Sequence, residues 1–320
     1  MTTVLVTGAS GFVGTALCKK LGAQGHVVRR AVRMAASGPD TVAVGDIGPA
    51  TDWSAALGGV DCVVHLAARA HVMRDTAAAP LAEYRRINVD ATIMLARAAA
   101  AARVRRFVFL SSVKVNGERT ADRPFTEDDT PRPEDAYGIS KWEAEQALSK
   151  VAGETGLEVA VLRAPLVYGP GVKGNFFSLL RAVARGIPLP LASIDNRRSL
   201  IYVGNLSDAV MRCIDHPAAA GKTFLVADGA DVSTPQLIHA MAAALGAPAR
   251  LLPFPPALLR GGAALFGKMA TVSRLTDSLQ VDIGRLRREL GWRPECALAQ
   301  GLAETARWYH ARVGARSSTE

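Results

Sequence analysis

The strongest chemical signal in this 320-residue chain is a phenol and an ammonium, Tyr137 and Lys141, inside Asp135-Ala136-Tyr137-Gly138-Ile139-Ser140-Lys141-Trp142-Glu143. The run reads as a helix, and an i, i+4 spacing puts both side chains on one face. A free phenol ionises only near pH ~10, so a tyrosine that takes and returns a proton near neutrality needs a neighbouring cation to favour its phenolate. Upstream, Ser111-Ser112 closes an apolar run and leads into Val115-Asn116-Gly117. A hydroxyl there can hydrogen-bond an oxygen that is being oxidised or reduced. A tyrosine and lysine at this spacing also occur on ordinary surface helices, so the order and company of the three residues carry the signal.

A second constellation lies near the start, where Gly8-Ala9-Ser10-Gly11-Phe12-Val13-Gly14 follows the strand-like Val4-Leu5-Val6 and leads into a helix. In such a loop the first glycine permits a tight turn and the second lets backbone approach a pyrophosphate. The third lets helix and sheet pack closely, with the helix N-terminus facing the anion. NAD normally requires a carboxylate at the end of the next strand to bond the ribose 2′-hydroxyl. Here that stretch reads Val28-Arg29-Arg30-Ala31-Val32-Arg33 and holds no acid. Arg33 is placed to grip a 2′-phosphate, which favours NADP(H) while leaving NAD(H) possible. Solvated strand-end arginines are the bland alternative.

The turn Thr7-Gly8-Ala9-Ser10-Gly11-Phe12-Val13-Gly14 and the Ser-Tyr-Lys order resemble the extended branch of the short-chain dehydrogenases/reductases, of the NAD-dependent epimerase/dehydratase type. That resemblance implies a Rossmann fold, with Ser112 rather than Ser111 as the catalytic hydroxyl, Tyr137 as general acid/base and Lys141 as its support. It implies cofactor contacts from the turn at Gly8, Ser10, Gly11, Phe12, Val13 and Gly14, and from Arg33. Gly45-Asp46-Ile47 resembles the pair that frames adenine, although Asp46 is equally able to cap a helix, with Asp52 and Ser54 as competitors. His65-Leu66-Ala67-Ala68 resembles the turn beneath the cofactor, through Leu66, Ala67 and Ala68. Asn88, Ser111 and Pro165, together with Tyr137 and Lys141, complete the implied cofactor set.

The likeness continues through residues 163–170, Gly174-Asn175-Phe176, Arg198-Ser199-Leu200-Ile201-Tyr202-Val203 and Arg274-Leu275-Thr276-Asp277. In nucleotide-sugar enzymes of this type the matching positions hold the diphosphate and nucleoside. Asn175, Arg198, Arg274 and Asp277 are therefore the implied substrate contacts, beside Ser112 and Tyr137. Paired guanidiniums make a charge-assisted anchor for a diphosphate, although an arginine is as often a surface residue. Two departures matter. Leu166 stands where the family commonly has Asn, and Val113-Lys114 stand where 4,6-dehydratases carry an Asp-Glu pair, so elimination lacks its acid and base.

The expected reaction is NADPH-dependent reduction of a UDP-4-keto-6-deoxy-amino sugar at C4, in surface-polysaccharide precursor synthesis. Epimerisation at C4 by retained cofactor, of the UDP-glucose/UDP-galactose kind, is the alternative. Reduction of a steroid-like ketone would want an apolar substrate lobe without paired arginines. A non-catalytic NADP-binding regulator is the reading from another class, and such relatives typically lose the tyrosine or lysine.

The elements that must position these groups alternate apolar runs with amphipathic stretches: strands at 3–7, 26–32, 62–66, 107–111 and 159–163, and helices that include 11–22 and 88–102. This pattern predicts an α/β fold with a doubly wound parallel sheet and a smaller C-terminal α/β substrate lobe. The dinucleotide-binding unit is expected over 1–169 and 200–228, with a last strand at 224–227. The lobe is expected over 170–199 and 229–311, and a frayed tail over 312–320. A homodimer through helices 88–102 and 137–150 is what the resemblance suggests.

Composition sets the outer limits. With 49% hydrophobic and 21% charged residues the chain is an ordinary globular protein. Cys18, Cys62, Cys213 and Cys296 form no CxxC pair, so neither a zinc site nor a redox motif is expected, and a reducing cytoplasm is the default. The opening strand leaves no expected leader. The apolar stretch 251–270 is broken by prolines, Arg260 and a glycine pair, which argues against membrane insertion. The net charge of +9 comes from arginines scattered through helices. It suits anionic small ligands at least as well as nucleic acid, and no stacking-and-basic nucleic-acid module is visible; the resemblance implies a UDP-sugar as the partner.

Overall fold

The computed structural model describes residues 1–34, 38, 40–70, 80–265 and 269–317. Its strands are β1 (Thr3–Thr7), β2 (Val27–Val32), β3 (Thr41–Ala43), β4 (Cys62–His65), β5 (Arg106–Ser112), β6 (Glu158–Ala164), β7 (Leu166–Tyr168), β8 (Leu200–Tyr202) and β9 (Lys222–Leu225). The helices between and after them are α1 (Phe12–Ala23), α2 (Ser54–Leu57), α3 (Pro80–Arg85), α4 (Ala91–Ala101), α5 (Ala136–Thr155), α6 (Gly174–Ala184) and α7 (Val203–Asp215). They continue as α8 (Thr234–Leu245), α9 (Pro256–Leu265), α10 (Met269–Thr276), α11 (Gly284–Leu290) and α12 (Leu298–Ser317).

Seven strands form one parallel sheet in the order β3-β2-β1-β4-β5-β6-β9. The chain winds outward from β1 to β3, crosses back, and winds the other way from β4, so the sheet is doubly wound with its switch point between β1 and β4. Uninterrupted apolar runs suit strands covered on both faces. Val4, Leu5 and Val6, Cys62, Val63 and Val64, and Phe107, Val108 and Phe109 are all fully buried. One face packs against α1, α7 and α11 through Leu17, Leu206, Val210 and Leu286. The other packs against α2, α4 and α5 through Leu57, Leu95, Leu148 and Val151.

A third apolar cluster joins α6, α8 and α12 through Phe176, Leu180, Leu237, Met241, Leu302 and Tyr309, with β7 paired to β8 along its edge. Leu279, Val281, Ile283, Leu290 and Trp292 pack instead with the sheet cluster. Two details depart from the sequence reading. The sheet gains β3, only three residues long and nowhere fully buried, too short to show as an apolar run. The helix expected over 88–102 begins at Ala91, preceded by a π-helical turn, Arg86–Asp90, that carries Asn88.

Candidate active site

The C-terminal ends of β1, β4 and β5 lie side by side, which brings Gly8, Leu66 and Ser112 to one edge of the sheet, where ligands bind in folds of this kind. Gly8 has φ +66°, and a Cβ there would lie 2.9 Å from the Ala67 nitrogen. The Gly11 N–H donates to the Gly8 carbonyl at 2.9 Å. A Cβ on Gly14 would stand 2.1 Å from the Gly8 oxygen, so α1 starts hard against the turn because it is glycine. No side chain caps α1, whose N-cap is Gly11. A tight glycine cradle over an uncapped helix N-terminus fits a dinucleotide pyrophosphate.

Beneath this turn runs a buried polar chain that the sequence reading did not identify as functional. The Leu66 and Ala67 N–H groups each donate to the Thr7 hydroxyl oxygen at 3.2 Å. Thr7 is 2.7 Å from His65 Nδ1, and His65 Nε2 is 3.0 Å from the Thr92 hydroxyl, which donates to the Asn88 carbonyl at 2.8 Å. One proton arrangement satisfies every link: Thr7 donates to Nδ1, and Nε2–H donates to Thr92. Burial, with the Lys141 charge adding to it, pulls the imidazole down to about 3, so His65 stays neutral. The available signal was polar residues at the end of otherwise apolar strands.

Asn88 is also interior, at 1% exposure. Its Oδ1 accepts from the Arg69 N–H at 2.8 Å, and its Nδ2 donates to the Arg69 carbonyl at 3.1 Å and to Ser140 Oγ at 2.9 Å. Ser140 in turn donates to the Tyr137 carbonyl at 2.8 Å. The side chain expected on the cofactor therefore faces inward and ties the loop after β4 to the helix that carries Tyr137.

The expected triad does come together. Ser112 ends β5; its hydroxyl accepts from the Lys114 N–H at 3.3 Å and stands beside the Tyr137 phenol, whose ionisation it favours. Tyr137 is the second residue of α5, whose N-cap Asp135 accepts from the Gly138 N–H at 2.7 Å. Burial pushes the phenol up, Asp135 pushes it further, and Ser112 opposes both. Lys141 is 2% exposed, donates to the Leu110 carbonyl at 2.8 Å and lies 4.2 Å above the Phe109 ring. Burial brings its ammonium down to about 7, against the pull of Glu145.

Ser111 does not share this face. Its hydroxyl donates to Glu145 at 2.5 Å, and Glu145 pairs with Arg163 at 2.7 Å in a buried ion pair that Asn116 completes. Adjacent strand residues point to opposite sides, which takes the Ser111 side chain into the packing beneath α5. Pro165 is buried at the break between β6 and β7.

On the adenosine side, Arg33 and Asp46 are exposed and paired with one another. Neither Asp46 nor Asp52 is the N-cap of α2, which is Trp53; Asp52, just ahead of it, accepts from the Ser54 N–H at 2.9 Å. A depression of about 330 Å³ lined by Val44, Gly45, Asp46 and Arg86 opens beside the pair. Ser10 is exposed, Phe12, Val13, Leu66, Ala67 and Ala68 are half-buried, and Ile47 packs against the core.

Of the implied substrate contacts, Asn175 is exposed in the first turn of α6. Arg198 donates to the Asp277 carbonyl at 2.9 Å, and Asp277, Glu118 and Arg274 all lie within the field of its guanidinium. Arg274 is exposed in α10. Arg198 and Arg274 are thus neighbours. Among the described residues, no cluster of metal-ligating side chains is present, and no helix is long and apolar enough to cross a membrane.

Residues 4–227 match the model of the NAD dependent epimerase/dehydratase family. The chain belongs to that family. A UDP-glucose 4-epimerase of Vibrio cholerae is 47% identical over 308 residues, covering 95% of this chain and 94% of its own. An N-acetyl-alpha-D-glucosaminyl-diphospho-ditrans,octacis-undecaprenol 4-epimerase of Escherichia coli O157:H7 is 30% identical over 264 residues, 81% of this chain and 77% of its own. Among solved structures, MoeE5 in complex with UDP-glucuronic acid and NAD superposes with a TM-score of 0.77 at 28% identity, over 97% of this chain and 99% of its own. This epimerase/dehydratase family member is an enzyme of the short-chain dehydrogenase/reductase type that uses a nicotinamide dinucleotide.

Proposed function

We propose that the enzyme inverts C4 of a UDP-hexose, with Tyr137 as acid/base, Ser112 as hydrogen-bond donor to the C4 oxygen and Lys141 as the cation that makes the phenolate accessible. The observation that carries this reading is the placing of the Ser112 hydroxyl beside the Tyr137 phenol, one helical turn from the buried Lys141 ammonium. The 47% identity to a UDP-glucose 4-epimerase supports the reaction and the uridine nucleotide.

When bound, the nicotinamide supplies a reversible hydride store. Tyr137 takes the C4 hydroxyl proton as the ketone forms and returns it as the ketone is consumed. The Ser112 hydroxyl, beside the phenol, holds the oxygen between these events. Inversion requires the keto-sugar to turn over in between, so the diphosphate must be gripped while the ring stays free. The neighbouring Arg198 and Arg274 meet that demand, with Asn175 and Asp277 as further contacts. Val113 and Lys114 leave no acid/base pair for elimination, so the hexose keeps its C6 oxygen. On this reading residues 1–169 and 200–228 bind the dinucleotide and residues 170–199 and 229–311 form the substrate lobe.

Incubation with UDP-glucose and NAD should yield UDP-galactose, and Tyr137→Phe should lower turnover by about 10²–10⁴-fold. Full activity in that variant overturns the assignment. A second reading, NADPH-dependent reduction of a UDP-4-keto-6-deoxy-amino sugar, is favoured by one feature, Arg33 at the end of an acid-free β2. Incubation with UDP-4-keto-6-deoxy-N-acetylglucosamine and NADPH or NADH separates the two. Steady loss of absorbance with NADPH and no UDP-galactose from UDP-glucose selects the reductase.

A further inference from the structure

Lys114 belongs to no role described so far, yet it sits at the junction of the two elements that carry the triad. It is the second residue of a short 3-10 turn, Val113–Val115, that follows Ser112 directly. Its ammonium lies 2.5 Å from Asp135 Oδ2 and 2.6 Å from Glu118 Oε1, and it is 23% exposed. The other oxygen of Asp135 is the N-cap of α5. One carboxylate therefore both starts the helix bearing Tyr137 and Lys141 and anchors the turn bearing Ser112. The backbones are also tight here: a Cβ on Gly138 would meet the Lys114 carbonyl at 3.0 Å, and the Arg132 N–H donates to the Val115 carbonyl at 3.0 Å.

From this geometry we infer that Lys114 is a positioning residue for the acid/base, a strap that holds the Ser112 turn against the cap of α5 and discharges the carboxylate nearest the phenol. The inference rests on the proposed role of Tyr137. The groups acting on that phenol are few. Asp135 opposes its ionisation from the helix cap, Ser112 favours it from the end of β5, and Tyr84 of α3 stands edge-on at 6.3 Å with the Arg69 guanidinium 5.4 Å over its own ring. Lys141 lies one turn along the same helix. Of these, Asp135 is the anion, and Lys114 and Glu118 set how much of its charge the phenol meets.

The test compares Lys114→Met, Lys114→Arg, Asp135→Asn and the double variant Lys114→Met/Asp135→Asn. It reads the pH dependence of kcat/KM for C4 inversion and, separately, NAD binding by fluorescence titration. Removing the ammonium exposes the phenol to Asp135, so the low-pH limb of Lys114→Met should move up by about one pH unit, a roughly tenfold loss on that limb. Asp135→Asn keeps a capping side chain and should move the limb down. The double variant should return it to within a few tenths of a unit of wild type, and Lys114→Arg should restore it alone. NAD affinity should stay within about twofold throughout, because these residues lie outside the phosphate cradle.

Superimposable profiles for wild type and Lys114→Met overturn the inference, as does a double variant that keeps the whole loss. Should Lys114→Met fail to fold, Asp135→Asn and Lys114→Arg still decide, since an unmoved limb in the first overturns the electrostatic role. A fully active Tyr137→Phe would instead remove the proposed function, and no Lys114 result can imitate that outcome.

Discussion

The Arg33 guanidinium meets the Asp46 carboxylate at 2.6 Å on the rim where β2 ends, with both side chains more than three-quarters exposed. A guanidinium so placed has two possible partners once dinucleotide is present: its resident carboxylate, or a ribose 2′-phosphate that must displace it. An exposed ion pair is worth only about 0–1 kcal/mol, so the resident partner is easily lost.

If Arg33 selects NADP, Arg33→Ala should weaken NADP binding by about 10–100-fold and change NAD binding by less than about twofold, since a charged hydrogen bond contributes roughly 1.5–3 kcal/mol. Asp46→Asn should strengthen NADP by releasing the competitor. Isothermal titration with both dinucleotides checks this, and equal losses for the two in Arg33→Ala would remove the selectivity role.

The cradle gives a contrast between two glycines of one helix. A Cβ on Gly14 collides with backbone that cannot step aside, at 2.1 Å from the Gly8 oxygen and 2.7 Å from the Ala9 Cα, whereas Gly22 has nothing within 4 Å. Gly14→Ala should cost about 1–3 kcal/mol or more and abolish tight dinucleotide binding. Gly22→Ala should be neutral or stabilise by up to about 1 kcal/mol with binding intact. Melting curves with and without NAD report both.

These contrasts also mark what the sequence could express. Runs such as Val4-Leu5-Val6 and Phe107-Val108-Phe109 are apolar because both faces of each strand are covered, so strand and sheet type were legible together. Tyr137 and Lys141 were legible because helix periodicity is local. The Ser111 bond to Glu145 was not, because it depends on how α5 packs on β5, a relation between residues far apart in the chain. The inward bonds of Asn88 were not legible for a similar reason: a π-helical turn brings its amide to the Arg69 backbone and Ser140. Arg163 lies inside a strand run, and only the arrival of Glu145 from α5 makes a buried cation tolerable there.

That last pair supports a direct stability measurement. Arg163 and Glu145 are each 4% exposed at the side chain and 2.7 Å apart, with Ser111 and Asn116 taking remaining bonds. Removing one member strands the other charge in the interior, which costs about 3–5 kcal/mol. Arg163→Met and Glu145→Gln should each lower the urea midpoint accordingly. A double Arg163→Met/Glu145→Leu variant should recover a large part of the loss, because no lone charge remains buried. Additive losses in the double variant would contradict a coupled pair.

Lys141 ties stability to pH in the opposite sense from a surface lysine. Its ammonium is held at about 7 in the fold by burial, and near ~10.4 in the unfolded chain. Between those values the unfolded chain binds a proton that the fold does not, so unfolding free energy rises with pH across the interval. Below pH 7 both states are charged and the cost of burying the cation is at its full size. His65 adds a separate acid limb, lost as pH falls from ~6.5 toward about 3, and is silent above neutrality. Buried Cys62 and Cys213, both pushed up by burial, act against stability at high pH but equally in any lysine variant. The difference between wild type and Lys141→Met therefore isolates the lysine. Measured without cofactor by urea unfolding at several pH values from 6 to 9, that difference should shift steadily in favour of wild type as pH rises. A flat difference would mean that the Leu110 carbonyl and the Phe109 ring hold the cation charged across the whole range, and that the ligand-free site keeps its positive charge in place.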